Sequence, residues 1–197
     1  MTHYFDKKQD SEFKPIKIEI SFQGEKITFF SASGIFSKDE LDTGSALLIR
    51  SAIIKNGFSV LDLGCGFGAI GIILAKKYPL CSFTLADVNE RAVQISKMNI
   101  ELHVLKNATA KESSFFDCIE DNFHTILLNP PQTAGKDVCF KLISDSFNHL
   151  FSSGLLQIVA RKNKGGVSYS SHMKSVFGNV AELSHKAGFV VYVSRKA

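Results

Sequence analysis

Residues 60–75 read VLDLGCGFGAIGIILA, and this stretch decides the fold. Its first residues form a short apolar run that predicts a buried strand. Three glycines at alternate positions, Gly64, Gly66 and Gly68, then let the backbone turn tightly and approach a ligand closely. The apolar residues from Ala69 onward predict a helix. A strand, a glycine loop and a helix in this order begin a unit of parallel sheet.

The alternation of strands and helices continues after this unit. The predicted elements are a strand over 81–88, a helix capped by Asn89, a strand over 124–129, a helix over 137–151 and a strand over 154–161. Strands that alternate with helices at this spacing indicate βαβ units. We therefore predict a three-layer, Rossmann-like α/β fold with a mostly parallel sheet.

Both ends of the chain depart from this pattern. Residues 16–22 alternate apolar and polar side chains, Gln23-Gly24 supplies a turn, and 26–31 resumes the alternation, which predicts a β-hairpin. From Ser45, a helix is predicted to run to Asn56-Gly57. The final residues predict an antiparallel hairpin, with VAELSHK and FVVYVSR on either side of Ala187-Gly188. We expect an N-terminal hairpin extension over 1–44, packed on a core domain over 45–197.

The composition is that of a soluble globular protein. The chain has 197 residues, 45% hydrophobic and 21% charged, enough for one sizeable domain. The N-terminus MTHYFDKKQD is polar and lacks a signal-peptide core, so a cytoplasmic location is expected. The four cysteines form no C-x-x-C pair and the six histidines are scattered, which argues against a metal site.

Positive charge is concentrated at the C-terminal end. Residues 161–197 contain seven Lys and Arg against one acid, Glu182, whereas 1–160 are close to neutral. A basic end on a near-neutral body is a candidate contact surface for a polyanion. Solvated surface lysines would give the same count, so charge alone does not decide between the two.

Two cofactors compete for the glycine loop. Gly66, Gly68 and Gly71 match the G-x-G-x-x-G fingerprint of dinucleotide-binding proteins. Asp62, at the end of the strand, would repel a pyrophosphate and attract a cationic ligand such as S-adenosylmethionine. Asp87, which closes the next strand, can accept both hydroxyls of an adenosine ribose in either cofactor. The combination favours S-adenosylmethionine.

An unusual strand exit follows the apolar residues 126–128. Asn129, Pro130 and Pro131 stop the strand abruptly, because proline cannot donate a ladder hydrogen bond and fixes its own φ. This is either an ordinary exit or a rigid set of oxygen acceptors at the edge of a site. The carboxyl end of a parallel strand is where such a site is expected.

These motifs resemble those of class I S-adenosylmethionine-dependent methyltransferases. VLDLGCGFG, LADVNERAV and NPPQ carry the resemblance. GIFSKDELDTGSALL, NPPQTAGK and VFGNV with the final hairpin are more closely similar to the small-subunit ribosomal RNA guanine-N2 methyltransferases of the methyltransferase C type. Bacterial members of that family carry an extra degenerate copy of the domain, and this shorter chain resembles the compact single-domain form known from archaea.

The resemblance implies a chemistry for the proline motif. The Asn129 side-chain oxygen and the Pro130 carbonyl would accept hydrogen bonds from the exocyclic amine (N2) of a guanine in structured, ribosomal RNA. Pro131 would stiffen the motif, which is preorganisation of the transition state. Gln132 stands where the family usually has an aromatic residue that stacks on the flipped base.

The resemblance also implies residues for the cofactor and the RNA. The expected S-adenosylmethionine contacts are Phe36, Thr43, Asp62, Gly64, Gly66, Gly68, Asp87, Val88, Ser113 and Asn129, with Phe36 and Thr43 at the methionine end. The expected RNA contacts are Gln132, Lys136, Arg161, Lys162 and Lys164. Lys164-Gly165-Gly166 is expected to form a loop flexible enough to follow a phosphate backbone.

Three other functions remain open at this point. A protein-glutamine or adenine N-methyltransferase would also use Asn-Pro-Pro with a variable fourth residue. A nicotinamide-dependent oxidoreductase would use the glycine fingerprint. A non-catalytic RNA-binding module would keep the basic end without the chemistry.

Overall fold

The computed structural model describes residues 13–32, 41–130 and 135–197. Seven strands form one sheet, and two more form a separate N-terminal hairpin. The hairpin strands are β1 (Ile16–Phe22) and β2 (Glu25–Ser31). The sheet strands are β3 (Ser59–Leu63), β4 (Ser82–Asp87), β5 (Ala108–Glu112), β6 (Phe123–Leu128), β7 (Leu150–Arg161), β8 (Ala181–Lys186) and β9 (Phe189–Arg195).

The sheet is mostly parallel, as predicted. Its strand order is β5-β4-β3-β6-β7-β9-β8. The first five strands of this order pair in parallel, and β9 is antiparallel to both of its neighbours. The predicted C-terminal and N-terminal hairpins are both present. The sequence pattern did not predict β5, because this short edge strand reads ATAKE and carries only alanines as apolar residues.

Five α-helices cover the two faces of the sheet. They are α1 (Thr43–Ser51), α2 (Ala69–Lys77), α3 (Glu90–Leu102), α4 (Lys136–Asn148) and α5 (Val167–Phe177). The hairpin, α1, α2 and α3 pack with Val60, Leu127 and Val159 in one cluster. α4 and α5 pack with Leu61 and Leu128 in the other. Adjacent strand residues therefore face opposite layers, which explains the continuous apolar runs in the sequence.

The first helix ends earlier than its apolar residues suggest. α1 stops at Ser51, although the pattern predicts a helix as far as Asn56-Gly57. The reason is a buried glutamine on β7. Gln157 accepts a hydrogen bond from the Ile53 amide at 2.9 Å and donates one to the Ile53 carbonyl at 3.0 Å. These backbone groups are therefore held by the sheet instead of continuing the helix.

The boundary between α4 and β7 also differs from the prediction. α4 ends at Asn148, three residues before the predicted end at position 151, and β7 begins at Leu150. The Phe123 amide donates to the His149 carbonyl at 2.9 Å, and Phe123 is paired with Leu150. The residues at this boundary have an apolar character that fits either a helix or a strand. They belong to β7 because they pair with β6.

The predicted loop after β7 is short. Lys162–Gly166 turn the chain with non-helical dihedrals at Lys164 and Gly165 and lead directly into α5, a helix the sequence pattern did not indicate. Gly165 has a φ of +100°, and a Cβ atom there would lie 2.8 Å from the Tyr169 ring. A Cβ atom on Gly166 would lie 2.8 Å from the Arg161 carbonyl oxygen. These close contacts explain why glycine occupies both positions.

None of the helices in the described part of the chain is long and apolar enough to cross a membrane.

Candidate active site

The strand order reverses between β3 and β6. Leu63 and Leu128 are paired at the carboxyl ends of these parallel strands, so Gly64 and Asn129 follow at the same edge of the sheet. In open parallel sheets, the loops diverge at such a point and leave a crevice in which ligands bind. The sheet therefore brings the glycine loop and the proline motif to one crevice.

The backbone of the glycine loop is held by its neighbours. Gly64, Gly66 and Gly68 have φ values of +71°, +58° and +89°, in the region that favours glycine. The Gly66 amide donates to Asp87 Oδ2 at 2.8 Å. The hydroxyl of Ser96 on α3 donates to the Gly66 carbonyl at 2.9 Å. The loop is thus preorganised by groups from β4 and α3.

Asp87 is a buried carboxylate at the end of β4. Besides holding Gly66, it accepts a hydrogen bond from the Asn89 amide at 2.9 Å through Oδ1. Each carboxylate oxygen can accept more than one hydrogen bond, so the same group can also accept ligand hydroxyls. Its own carbonyl accepts from the Ser113 amide at 2.9 Å, which fixes the loop after β5 beside it.

Asp62 is a buried carboxyl group at the end of β3. Its Oδ2 accepts a hydrogen bond from the Gly71 amide at 2.8 Å, beneath the first turn of α2. Burial raises its pKa to about 7, the Gly71 hydrogen bond opposes the shift, and the negative charge of Asp87 adds to it. Asp62 is not among the residues that line the cavity described next, and the hydrogen bond from Gly71 ties it to α2.

An apolar cavity opens at the crevice. It encloses about 500 Å³ when its open mouth is included. Strands, loops and one helix contribute to it: the lining residues are Leu63, Gly64, Asp87, Val88, Ser113, Ser114, Phe115, Leu128, Val138 and Leu142. Of the expected cofactor residues, Gly64, Asp87, Val88 and Ser113 meet there.

The lining fits S-adenosylmethionine better than a dinucleotide. Among the described residues that line it, Asp87 is the only charged one, and no basic side chain among them would neutralise a pyrophosphate. A Cβ atom on Gly64 would meet nothing within 4 Å, so this glycine leaves room in the cavity for a ligand. The glycine fingerprint has another explanation: a Cβ atom on Gly71 would lie 2.7 Å from Leu85, so Gly71 is required by packing.

The Asn129 amide has a fixed orientation. Its Nδ2 donates to Ser45 Oγ at 2.9 Å and approaches both carboxylate oxygens of Asp42 at 3.4 Å. Because a carboxylate can only accept hydrogen bonds, the nitrogen must face Asp42. No residue in the described ranges donates to Asn129 Oδ1. This oxygen is therefore available as an acceptor at the crevice.

The remaining predicted site residues have mixed outcomes. Pro130 is buried directly after β6, whereas Thr43 is exposed at the start of α1. The predictions for Phe36, Pro131 and Gln132 lie outside the described residues. Within 13–32, 41–130 and 135–197, no three His, Cys, Asp or Glu side chains are arranged as metal ligands.

The basic residues lie at the same edge of the sheet as the crevice. Arg161 ends β7 and its guanidinium lies 4.6 Å from the centre of the Phe189 ring. Lys162 Nζ is 3.5 Å from Glu182, which neutralises part of its charge. Lys164 and Lys136, at the start of α4, are exposed. The structure thus places the four expected phosphate contacts around the carboxyl end of the sheet.

Two groups of site residues were missed from the sequence. Asp42 and Ser45 contact Asn129 from positions 87 and 84 residues away, and only the folded sheet shows that proximity. Asp42 could have been predicted as the N-cap of α1, since Asp is a preferred N-cap residue. Phe115, Val138 and Leu142 line the cavity, but their apolar character alone predicts only burial.

The comparisons with known proteins agree with this geometry. The family model "Methyltransferase small domain" matches residues 26–193. A Bacillus subtilis relative, the uncharacterized protein YbxB, is 35% identical over 98% of both chains. Ribosomal RNA small subunit methyltransferase C of Hamiltonella defensa is 33% identical over 87% of this chain and 51% of its own. This chain spans about half the length of the curated relatives that carry that name.

A solved structure shares the fold. The T. thermophilus 16S rRNA N2 methyltransferase RsmC, solved with AdoMet and guanosine, superposes with a TM-score of 0.79 at 24% identity, covering 95% of this chain and 51% of that chain. The sheet order, the crevice at its switch point and the match over most of the sequence lead to one assignment. The chain belongs to the methyltransferase small domain family and is a methyltransferase.

Proposed function

We propose that this protein methylates the exocyclic N2 amine of a guanine in ribosomal RNA, with S-adenosylmethionine as the methyl donor. The observation that carries the proposal is the Asn129 amide, fixed by its nitrogen and offering Oδ1 beside the cavity of Asp87. The relatives named ribosomal RNA small subunit methyltransferase C support ribosomal RNA as the substrate class. The guanosine in the RsmC structure supports guanine.

The cofactor contacts follow from the cavity. When bound, S-adenosylmethionine supplies a methyl group carried on a sulfonium sulfur. Asp87 is suited to accept hydrogen bonds from the ribose hydroxyls, and the apolar side chains of Phe115, Val138 and Leu142 offer surface for the adenine. The glycine loop is suited to the methionine end, because Gly64 leaves its side of the cavity open.

The chain then has to activate a poor nucleophile. The lone pair of a guanine amine is delocalised into the ring, so the nitrogen attacks well only when it becomes pyramidal. Asn129 Oδ1 and the Pro130 carbonyl would accept hydrogen bonds from the two amine N–H groups and favour that geometry. Their positions are set before the substrate arrives, which lowers the reorganisation needed in the transition state. No strong base is required, because the nitrogen becomes more acidic as it is methylated and releases its proton to solvent.

Labelled methyl transfer tests the proposal directly. Unmodified small-subunit ribosomal RNA transcript is incubated with the protein and S-adenosyl-[methyl-³H]methionine, then digested to nucleosides. The expected product is N2-methylguanosine. Label in N6-methyladenosine, or in glutamine of added ribosomal protein, would establish the corresponding alternative instead. Cofactor binding without any transfer would favour the non-catalytic RNA-binding module.

Asn129→Ala tests the catalytic role within the same assay. We expect turnover to fall on the order of a hundredfold, while S-adenosylmethionine affinity changes little. Asn122→Ala is the matched control, because Asn122 is an exposed residue at the other end of the same strand. Turnover of Asn129→Ala within a fewfold of Asn122→Ala would contradict the role given to the motif.

A further inference from the structure

We infer that Asp42 and Ser45 are positioning residues that orient and polarise the Asn129 amide for methyl transfer. The inference rests on the proposed function of Asn129 and assigns a role to the start of α1. Two independent groups hold the same nitrogen: the Ser45 hydroxyl at 2.9 Å and the Asp42 carboxylate at 3.4 Å. With both N–H bonds directed there, the amide cannot rotate to exchange its oxygen and nitrogen without losing these contacts.

Asp42 is itself held firmly. Its Oδ1 caps α1 by accepting hydrogen bonds from the Gly44 amide at 2.9 Å and the Ser45 amide at 3.0 Å. The first turn of α1 packs closely against the start of β9, since a Cβ atom on Gly44 would lie 3.1 Å from the Phe189 ring. The carboxylate therefore has a fixed position relative to the sheet that carries Asn129.

The negative charge of Asp42 also changes the character of the amide. An amide that donates to a carboxylate is polarised, and its oxygen becomes a stronger hydrogen-bond acceptor. The target amine becomes more positive as it attacks, so a stronger acceptor at Oδ1 stabilises the transition state more than the ground state. An aspartate that orients another catalytic group in this way is known from serine proteases.

The test separates this role from helix capping. Asp42→Ser keeps a good N-cap but lacks the reach and the charge to hold Asn129. Ser45→Ala removes only the hydroxyl. Ser51→Ala, on the last turn of the same helix, is the matched control. We expect turnover to fall by about ten- to thirtyfold in Asp42→Ser and Ser45→Ala, with S-adenosylmethionine affinity and melting temperature close to those of Ser51→Ala.

A double-mutant cycle decides whether Asp42 acts through Asn129. In an Asn129→Ala background, Asp42→Ser should cause no further loss of turnover. An equal loss in both backgrounds would overturn the inference. The assay uses whichever acceptor the wild type methylates among the ribosomal RNA transcript, an adenine oligonucleotide and a glutamine peptide.

A second readout does not depend on activity. The Nδ2 protons of Asn129, assigned in NMR spectra by their absence in Asn129→Ala, should exchange slowly with water in the wild type. Asp42→Ser should shift these signals and speed their exchange with water. Unchanged signals in Asp42→Ser would overturn the inference. If none of the acceptors is methylated, the proposed function fails, and these signals still decide whether Asp42 holds Asn129.

Discussion

At the residue scale, two buried aspartates on neighbouring strands have different tasks. Asp87 faces the cavity while holding Gly66 and Asn89, and Asp62 lies under α2 with the Gly71 amide as its hydrogen-bond donor. Both positions could be predicted from the sequence as acids at strand ends. Their difference could not, because it depends on which face of β3 meets the first turn of α2. Asp62 contacts the α2 side through the Gly71 amide.

Asp87 is expected to be required for cofactor binding. Asp87→Ala should weaken S-adenosylmethionine binding by ~1.5–3 kcal/mol, the contribution of charge-assisted hydrogen bonds. The Gly66 and Asn89 amides would also lose their acceptor, so the melting temperature should fall as well. Isothermal titration calorimetry measures the affinity, with Glu90→Gln, an exposed acid on α3, as the control. Affinity unchanged from that control would exclude the ribose role.

The buried Asp62 carboxyl predicts a pH dependence of stability. Its pKa is about 7 in the folded protein and near 3.8 when exposed. Between these values the folded protein keeps a proton that the unfolded chain releases, so stability is greatest below the lower pKa and declines as pH rises to the upper one. The free energy of unfolding should decrease by roughly 2–4 kcal/mol from pH 4 to 7 on this account.

Asp62→Asn isolates this effect. The asparagine keeps an oxygen for the Gly71 amide but does not titrate, so this part of the pH dependence should vanish. Urea unfolding of the cofactor-free protein at several pH values measures it, with Asp117→Asn, an exposed acid, as the control. Identical pH profiles for wild type and Asp62→Asn would show that the carboxyl is not perturbed.

At the element scale, local signals predicted a capped helix start better than bounds that depend on distant partners. Asn89 caps α3 with hydrogen bonds to the Arg91 and Ala92 amides, as its position before Glu90 predicts. The end of α1 and the start of β7 depend on partners far away in sequence, Gln157 for the Ile53 backbone and Phe123 for His149. Apolar periodicity carries no information about such partners, so these bounds were wrong by several residues.

The N-terminal hairpin and the glycine loop are joined by one buried side chain on α3. Asn99 Oδ1 accepts from the Phe30 amide at 2.6 Å, and its Nδ2 donates to the Phe30 carbonyl at 2.9 Å and the Phe67 carbonyl at 2.8 Å. The Phe29 and Phe67 rings meet edge to face with centroids 5.5 Å apart. The hairpin thus supports the loop that borders the cofactor cavity.

Asn99→Ala should affect stability and cofactor binding together. Three backbone groups would lose their partner in a buried site, so the free energy of unfolding should fall by about 2–4 kcal/mol. S-adenosylmethionine affinity should also fall severalfold, because the Phe67 carbonyl belongs to the glycine loop. Urea unfolding and calorimetry measure the two effects. Lys97→Ala, exposed on the same helix, is the control. A stability loss with no change in affinity would show that the hairpin does not support the loop.

At the scale of the whole molecule, the sheet brings the functional groups together at the carboxyl ends of its parallel strands. The glycine loop, Asp87, Asn129 and the basic residues after β7 all follow carboxyl ends of parallel strands, so the βαβ pattern was sufficient to predict that they share one side. The walls of the crevice were not predictable. One of them comes from α4, whose orientation over the sheet depends on packing between distant parts of the chain.

The same edge carries the charge that an RNA substrate requires. Changing Arg161, Lys162 and Lys164 together to Gln should lower RNA affinity and reduce the salt dependence of binding by roughly two to three units of slope, about one for each lost phosphate contact. We expect a slope change at the lower end of this range, because the ion pair with Glu182 already neutralises part of the Lys162 charge. S-adenosylmethionine affinity should not change, since these residues do not line the cofactor cavity.

The control for this triple variant removes the same charge from the opposite edge. Lys55, Lys76 and Lys77 are exposed before β3 and at the end of α2, where the amino ends of the parallel strands lie. Changing these three to Gln removes as much net charge, so a general electrostatic attraction would weaken in both variants alike.

Phosphate contacts beside the crevice predict a larger loss of affinity and slope for the first variant, because backbone contacts position the RNA next to Asn129. Fluorescence anisotropy with a labelled transcript between about 50 and 300 mM KCl measures the RNA affinity and the salt slope of each variant. A range of about 50–200 mM already separates such slopes. Equal slopes for the two variants, or a flat salt titration of wild-type activity, would contradict an RNA surface at this edge.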